Sequence, residues 1–214
     1  DYVFISHGDN DHAGSLEPLK QGIAIGTIAT NFDLCQQGMV ITWQQLELVG
    51  LWPNRPEDYS DNNGSCVMTI SDGINKVLLS GDIDKSIEGR LVDEFASKLK
   101  ADFLLAPHHG SNTSSSQPFI DTINPSYVVF SQGFRNRWNF PRTEVVTRYR
   151  SGGGAVIGRT QVKRGSQRKL YSTSDSGQVS FIFQSDSAPF IQVSTRRQDN
   201  FPYWYANMPN CCSN

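Results

Sequence analysis

The sequence predicts a layered α/β fold in which strands outnumber helices, and two patterns indicate it. Short apolar runs rich in β-branched residues recur along the chain and end at Gly, Asp, Asn or Pro, as is typical of strands. Between some of them, apolar residues recur at the spacing of one helix face. The 214 residues are 37% hydrophobic, with a net charge of −2. This composition allows a packed core, and the length is that of about one domain.

The first half of the chain is predicted to contain several strands and one helix. The strands are residues 2–5, 23–29, 65–70 and 76–80. The last of these is a continuous apolar run, as in a strand buried on both faces. A helix follows Asp82, because Ser86 can cap it and apolar residues recur every four positions behind it. Those residues are Ile87, Leu91, Phe95 and Leu99.

The second half alternates strands and helices before it turns to hairpins. The predicted elements are a strand at 102–106, a short helix at 118–123, a strand at 127–131 and a helix at 143–150. Residues 155–195 are interpreted as hairpins, with Ser-Asp-Ser-Gly at 174–177 as one turn. We therefore expect one domain over residues 1–195, followed by an irregular C-terminal tail over residues 196–214.

The four histidines fall in two short clusters. His7 and His12 belong to HGDNDH, which also contains Asp9 and Asp11, and the other cluster is the His pair of PHHGS. Carboxylates packed side by side repel each other unless a cation lies between them, so a bound metal is the simple way to stabilise the first cluster. The alternative is a polar turn in which the Asp side chains cap backbone amides.

Three groups of possible ligands each follow a predicted strand. The HGDNDH cluster follows strand 2–5, Asp82 follows strand 76–80, and His108 follows strand 102–106. Parallel α/β sheets place their sites at the carboxyl ends of strands. Ligands that converge from three strand ends suit a two-metal site. Because several ligands are carboxylates, Mn²⁺ or Mg²⁺ is favoured and Zn²⁺ is possible.

Positive charge is concentrated in one segment. Residues 135–169 contain ten Lys and Arg and one acid, a balance of +9, which leaves −11 for the rest of the chain. Together with Trp138 and Phe140, this segment suits phosphate contacts with aromatic stacking, although a solvated basic face is the alternative. The candidate nucleic-acid contacts are Arg135, Asn136, Arg137, Arg142, Arg159, Lys163 and Arg164.

Three motifs resemble those of the metallo-β-lactamase superfamily: HGDNDH, LLSGD and PHHGS. Together with NPSYVVFSQGFRNRWNFP, they resemble more narrowly the C-terminal nuclease-like domain of the ComEC family of DNA-uptake proteins, over residues 1 to about 180. The resemblance implies a four-layer αββα sandwich whose first strands are missing from this chain. It also implies a nuclease that degrades the non-imported DNA strand during natural transformation.

The resemblance further implies two divalent metal ions. His7 and Asp9 would bind one ion, Asp11, His12 and one residue of the 108/109 pair the other, and Asp82 would bridge both. The implied metal ligands are His7, Asp9, Asp11, His12, Asp82 and His108, and the implied catalytic residues are Asp11 and His109. Which histidine of the pair is the ligand stays open at this point.

Two other functions and the cellular setting follow from the same reasoning. Since no His lies between residues 12 and 108, a DNA-binding module with weak or no turnover is one alternative, and a small-molecule metallo-hydrolase is another. The expected partners are DNA, as a single or displaced strand, and the membrane-channel portion of a longer parent protein. No apolar run approaches the ~18 residues of a membrane span. We expect a domain of an inner-membrane protein that faces the periplasm or the cell exterior.

The four cysteines do not form a C-x-x-C pair. A bridge between Cys35 and Cys66 is possible, but free thiols are the favoured prediction.

Overall fold

A computed structural model describes residues 1–55, 61–151, 168–184 and 190–199. The strands in these ranges are β1 (Tyr2–Ile5), β2 (Thr27–Thr30), β3 (Val40–Trp43), β4 (Leu46–Trp52), β5 (Val67–Ser71), β6 (Lys76–Leu79), β7 (Phe103–Leu105), β8 (Tyr127–Phe130), β9 (Lys169–Ser172), β10 (Val179–Gln184) and β11 (Phe190–Thr195). The helices are α1 (Asn10–Ala13), α2 (Leu16–Gly22), α3 (Lys85–Phe95), α4 (Gln117–Ile123), α5 (Thr143–Ser151), α6 (Thr173–Ser176) and α7 (Arg196–Asp199).

Strands β3 to β9 form one mixed sheet in sequence order. The pairs from β3 to β6 are antiparallel, and those from β6 to β9 are parallel. Helices α3, α4 and α5 connect successive parallel strands, as parallel pairing requires. The carboxyl ends of β6, β7 and β8 therefore lie at one edge of the sheet.

The main core lies between this sheet and its helices. Leu78, Leu104 and Val128 come from the three parallel strands β6, β7 and β8, and they are almost completely buried. Leu91 of α3 and Phe119 of α4 belong to the same cluster and have no exposed surface. Each such side chain contributes about 1.5–3 kcal/mol when it leaves water. This packing fixes the strand ends that carry the candidate site.

Two shorter strand pairs in the described ranges pack against the main sheet. β1 pairs parallel with β2, and Ala29 of β2 lies in a second apolar cluster with Leu48 and Met68 of the main sheet. β10 and β11 form an antiparallel hairpin. The ring of Phe181 in β10 lies edge-on to that of Phe103 in β7, with 4.9 Å between centroids. The molecule is thus layered, as the sequence predicts.

Cys35 and Cys66 are joined by a disulfide, with their Cα atoms 5.7 Å apart. The prediction of free thiols for this pair is therefore wrong. Both residues lie in the buried cluster between β2 and the main sheet. Tertiary packing brings them together across 31 positions of sequence, and the spacing of the cysteines alone does not indicate that.

Most predicted elements are confirmed, and the differences have local causes. The helix after Asp82 begins at Lys85, and Asp84 caps it by accepting hydrogen bonds from the backbone N–H groups of Ser86 and Ile87. The prediction of Ser86 as the cap is therefore wrong by two positions. The second strand begins at Thr27 instead of residue 23, because α2 and a short connection occupy the preceding residues.

Two regions differ more. Strands β3 and β4 were not predicted; their turn contains Gln44 at φ +55°, where no Gly, Asn or Pro signals a hairpin. Residues 173–176 form the helical turn α6, and β9 pairs parallel with β8 instead of joining a hairpin. The hairpin prediction holds for β10 and β11. Residues 155–167 of that prediction lie outside the described ranges.

The division at residue 195 stays a prediction. Arg196–Asp199 form α7, and residues 200–214 lie outside the described residues. No helix in the described ranges is both long and apolar enough to cross a membrane.

Candidate metal centre

Three strand ends bring the predicted ligands together. β1 leads into His7 and Asp9, and the short helix α1 turns Asp11 and His12 back toward the same edge. Asp82 follows β6 through Gly81, and the His108–His109 pair follows β7. We refer to these seven residues as the His–Asp cluster: His7, Asp9, Asp11, His12, Asp82, His108 and His109.

The Asp82 carboxylate lies at the middle of the His–Asp cluster. Its side chain is 7% exposed; Oδ1 lies 3.3 Å from His12 Nε2, and Oδ2 lies 3.2 Å from His109 Nε2. Burial alone would raise its pKa, but hydrogen bonds and charge from His109 and His12 outweigh burial and hold the pKa of Asp82 well below its usual range. Asp82 is therefore an ionised carboxylate whose two oxygens face different histidines.

The remaining ligand atoms form two overlapping groups. His7, His12 and Asp82 each offer one ligand atom within 4.8 Å of the others, and so do Asp11, His12 and His109. Asp9 adds a carboxylate oxygen 3.7 Å from His7 Nε2. The donors are imidazole nitrogens and carboxylate oxygens, a set that suits divalent metal ions.

Hydrogen bonds favour one tautomer of His7. The Ser65 hydroxyl donates its one proton to the Asn62 carbonyl at 2.6 Å, so toward His7 Nδ1, 3.2 Å away, it can only accept. The Ser6 hydroxyl, 3.1 Å from the same Nδ1, can accept from it as well. These contacts favour the ring proton on Nδ1 and a lone pair on Nε2. Burial, helped by the positive charge of His12, lowers the pKa of His7 despite the carboxylates nearby. The ring is thus neutral near pH 7.

The free nitrogen of His7 fits a metal ion. His7 Nε2 is buried and has no hydrogen-bond partner among the described residues. A buried polar atom without a partner costs about 1–3 kcal/mol. Since Nε2 points its lone pair toward the carboxylate side of the cluster, a cation would satisfy it.

His109 shows the same arrangement. Its Nδ1–H donates to the Ser131 carbonyl at 2.6 Å, and its Nε2 lies 3.2 Å from a carboxylate oxygen of both Asp11 and Asp82. Burial lowers the pKa of His109, but Asp82, the Ser131 carbonyl and Asp11 outweigh it and raise the pKa to about 8. The two carboxylates therefore favour a cation beside Nε2 near neutral pH, either a proton or a metal ion, and a metal-binding His commonly donates its other N–H in this way.

The backbone of the histidine pair is strained. His108, His109 and Gly110 all have positive φ angles, +47°, +54° and +87°. A Cβ atom at Gly110 would lie 2.6 Å from Pro141 Cβ, so glycine is required there. Left-handed non-glycine residues cost roughly 1–3 kcal/mol and cluster at functional sites.

A sequence comparison decides the family. The profile of the metallo-beta-lactamase superfamily matches residues 1–133. The chain belongs to the metallo-beta-lactamase superfamily. Members of this superfamily are generally metal-dependent hydrolases and typically bind divalent metals. The predicted α/β class is thereby confirmed as a metallo-β-lactamase-like fold.

Curated relatives confirm the narrower resemblance to the ComEC family. "Uncharacterized protein YcaI" of Escherichia coli is 31% identical over 95% of this chain, and "Recombination protein 2" of Haemophilus influenzae is 32% identical over 96%. "Competence protein ComA" of Neisseria gonorrhoeae is 30% identical over 72%. The matched regions are 25%, 25% and 23% of those proteins, so the chain spans about a quarter of their length.

This metallo-beta-lactamase domain also uses residues that sequence reasoning missed. Ser65 and Ser6 both contact His7 Nδ1, at 3.2 and 3.1 Å, and the Ser6 hydroxyl also lies 3.0 Å from His12 Nδ1. Asn62 Nδ2 lies 3.3 Å from His108 Nε2. All three are common polar residues in strand-end loops. No motif distinguishes them from ordinary turn residues.

The predicted DNA contacts fall into three classes. Arg135, Arg137 and Arg142 are exposed and lie near the rings of Phe134, Trp138 and Phe140. Asn136 is engaged within its own loop, because its amide bonds to both the N–H and the carbonyl of Phe140 at 2.8 Å. The remaining candidates, Arg159, Lys163 and Arg164, lie outside the described residues.

Proposed function

We propose that this metallo-beta-lactamase domain is a metal-dependent phosphodiesterase that hydrolyses DNA during DNA uptake. The observation that carries the proposal is the buried Asp82 carboxylate. Its Oδ1 lies 3.3 Å from His12 Nε2, and its Oδ2 lies 3.2 Å from His109 Nε2, so each oxygen faces a different histidine. A bridging carboxylate of this kind is what a two-metal centre needs. Relatives named for competence and recombination point to DNA as the substrate.

The ligand distances support a specific assignment. His7 and Asp9 would hold one metal ion, Asp11 and His109 would hold the other, and Asp82 would be shared between them; His12 lies within reach of both groups. When bound, the two metal ions would neutralise the charge of the phosphate and lower the pKa of the attacking water. The carboxylate-rich donor set favours Mn²⁺ or Mg²⁺, with Zn²⁺ possible.

His109 is the better ligand of the histidine pair, and His108 is placed at the rim. His109 Nε2 lies 3.2 Å from Asp82 Oδ2, whereas His108 Nε2 lies 4.0 Å away and faces Asn62. Burial, with the nearby charge of His109, lowers the pKa of His108 despite the acids around it. The N–H of its neutral ring can donate a hydrogen bond to a substrate oxygen. Asp11, whose carboxylate lies 3.2 Å from His109 Nε2, would complete the ligand group that His109 belongs to.

The arginines at the rim suit the flanking phosphates. Arg142 lines the cavity that also contains Asp9, Asp82 and His108. Arg137 and Arg135 extend the positive surface away from it on the same loop. Guanidinium groups bind phosphate oxygens with paired N–H donors, so this loop holds the DNA backbone while the His–Asp cluster holds the reacting phosphate.

The cellular setting follows from the relatives and the disulfide. Disulfides form and persist in oxidising compartments such as the periplasm and the cell surface. The Cys35–Cys66 bridge therefore favours a domain that faces outward from an inner-membrane parent protein. There the channel portion of the parent would take up one strand, and this domain would degrade the other.

A binding module without turnover is the second candidate. It is favoured by the lack of any His between residues 12 and 108 and by Phe140, an apolar residue whose ring lies 5.8 Å from that of His108. A small-molecule hydrolase would not need the basic segment over residues 135–169.

A nuclease assay separates these functions. Labelled single-stranded DNA is incubated with the chain in Mn²⁺ or in EDTA, alongside Asp82→Asn and the matched control Asp93→Asn on the exposed surface of α3. The proposal expects cleavage that requires Mn²⁺, is lost in Asp82→Asn and persists in Asp93→Asn. DNA that is bound but never cut would favour the binding module, and neither binding nor cutting would contradict both.

A further inference from the structure

Trp138 and Phe140 form an aromatic wall beside the His–Asp cluster. Their rings are nearly parallel, at 11°, with 6.1 Å between centroids, and Trp138 is 49% exposed. The Phe140 ring lies 6.5 Å from that of His109. The wall is thus a pair of nearly parallel aromatic rings, partly exposed to solvent, next to a residue that we propose as a metal ligand.

The aromatic wall borders two cavities that both reach the candidate metal centre. A cavity of about 450 Å³ contains Asp82 and Arg142, and a second one, of about 230 Å³, contains Asn136. Trp138, Phe140, Asp11 and His109 line both cavities. A flat group placed against the wall would therefore lie in a cavity that the candidate metal centre also lines, next to the reacting phosphate.

The Phe140 side of the wall is held in place before any ligand binds. The Asn136 amide bonds to both polar backbone groups of Phe140 at 2.8 Å. The next residues are tied to the histidine loop, because the Arg142 N–H donates to the Gly110 carbonyl at 2.9 Å and Pro141 packs against Gly110 too closely for a Cβ atom. Binding to a fixed surface avoids much of the entropic cost of ordering a loop.

Two cations flank the aromatic wall. The Arg137 guanidinium lies 4.3 Å from the centroid of the Trp138 ring and lines neither cavity. Arg142 lies 5.8 Å from the centroid of the Phe140 ring and lines the larger cavity. Aromatic rings that stack with bases, beside cations that contact the backbone, are the combination that binds single strands.

We infer that the aromatic wall is a stacking site for one unpaired nucleobase of single-stranded DNA, next to the phosphate that is cleaved. The position of that phosphate rests on the proposed function. Inside a duplex both faces of a base are already stacked, so paired DNA must first be opened before it can use the wall. The wall would therefore make the domain prefer an unpaired strand.

Base-dependent binding tests this inference without relying on cleavage. Fluorescence anisotropy in EDTA measures the affinity of a short thymidine oligonucleotide and of an abasic oligonucleotide of the same length and charge. The parent chain is compared with Trp138→Ala, Trp138→Phe and the control Trp43→Ala, whose indole is exposed on β3. Circular dichroism verifies that each variant is folded.

The parent chain should bind the base-bearing strand about 10-fold more tightly than the abasic strand. Trp138→Ala should remove most of that difference, while Trp138→Phe and Trp43→Ala should keep it. If the parent binds both strands equally, or if Trp138→Ala keeps the full difference, the inference is wrong. If the chain binds the base-bearing strand more tightly but never cleaves DNA, the stacking site is supported and the proposed nuclease activity is wrong.

Discussion

The stability of the metal-free protein should fall as pH rises from about 6.5 to about 8. His109 has its pKa raised from 6.5 to about 8 in the folded chain, chiefly because Asp82 and Asp11 outweigh the burial of the ring. The folded state therefore binds more protons than the unfolded state in this range, and stability is fully present below pH 6.5 and lost through pH 8. The difference between the two pKa values corresponds to at most about 2 kcal/mol, and solvent screening around the partly exposed ring reduces the stability change to about 1 kcal/mol.

Urea unfolding in EDTA across this pH range measures the effect. His109→Gln should flatten the dependence, whereas His108→Gln should keep it, because the pKa of His108 is lowered instead of raised. Saturating Mn²⁺ should also remove the dependence, since a metal ion replaces the proton beside His109 Nε2. A flat profile for the parent chain, or an unchanged loss in His109→Gln, would refute this reasoning.

Three further substitutions have defined outcomes. Ser65→Ala should weaken Mn²⁺ binding by about 10-fold in calorimetry, because the contact that favours the metal-binding tautomer of His7 is lost; unchanged affinity would contradict that role. Glu88→Ala should lower the free energy of unfolding, measured in urea, by about 2–4 kcal/mol. The buried Glu88 carboxylate accepts hydrogen bonds from two backbone N–H groups of the loop after the histidine pair, and these would lose their partner. A loss below about 1 kcal/mol would argue against this role of Glu88. Replacing Arg135 and Arg137 with Ala should reduce the slope of log K against log salt concentration for single-strand binding by about 1–1.5 and leave the metal content intact. An unchanged slope would mean that other residues bind the DNA backbone.

Elements that depend on local sequence could be predicted well. The apolar runs at 76–80 and 102–106 become β6 and β7, because a continuous apolar run can be buried only between two layers. The β3–β4 hairpin could not be predicted, because Gln44 adopts a left-handed conformation that its side chain does not signal. The helix cap was misplaced because Asp84 and Ser86 are both good capping residues, and the backbone decides between them.

The candidate site divides in the same way. The His and Asp clusters are visible in the sequence, since ligand-capable residues are concentrated just after predicted strands. The choice between His108 and His109 depends on their left-handed backbone and on the Ser131 carbonyl. The contact of Ser65 with His7 spans 58 positions. Such contacts arise from packing of distant segments, which a single sequence does not encode locally.

The number of metal ions bound per chain shows whether the His–Asp cluster is a two-metal centre. The chain is dialysed against Mn²⁺, and bound metal per folded chain is measured by mass spectrometry for the parent, Asp82→Asn and the control Asp93→Asn. We expect about two Mn²⁺ for the parent and for the control, and at most about one for Asp82→Asn, because the carboxylate shared by the two ions is lost. Equal stoichiometry in a folded Asp82→Asn variant, or a parent chain that binds no Mn²⁺, would contradict this expectation.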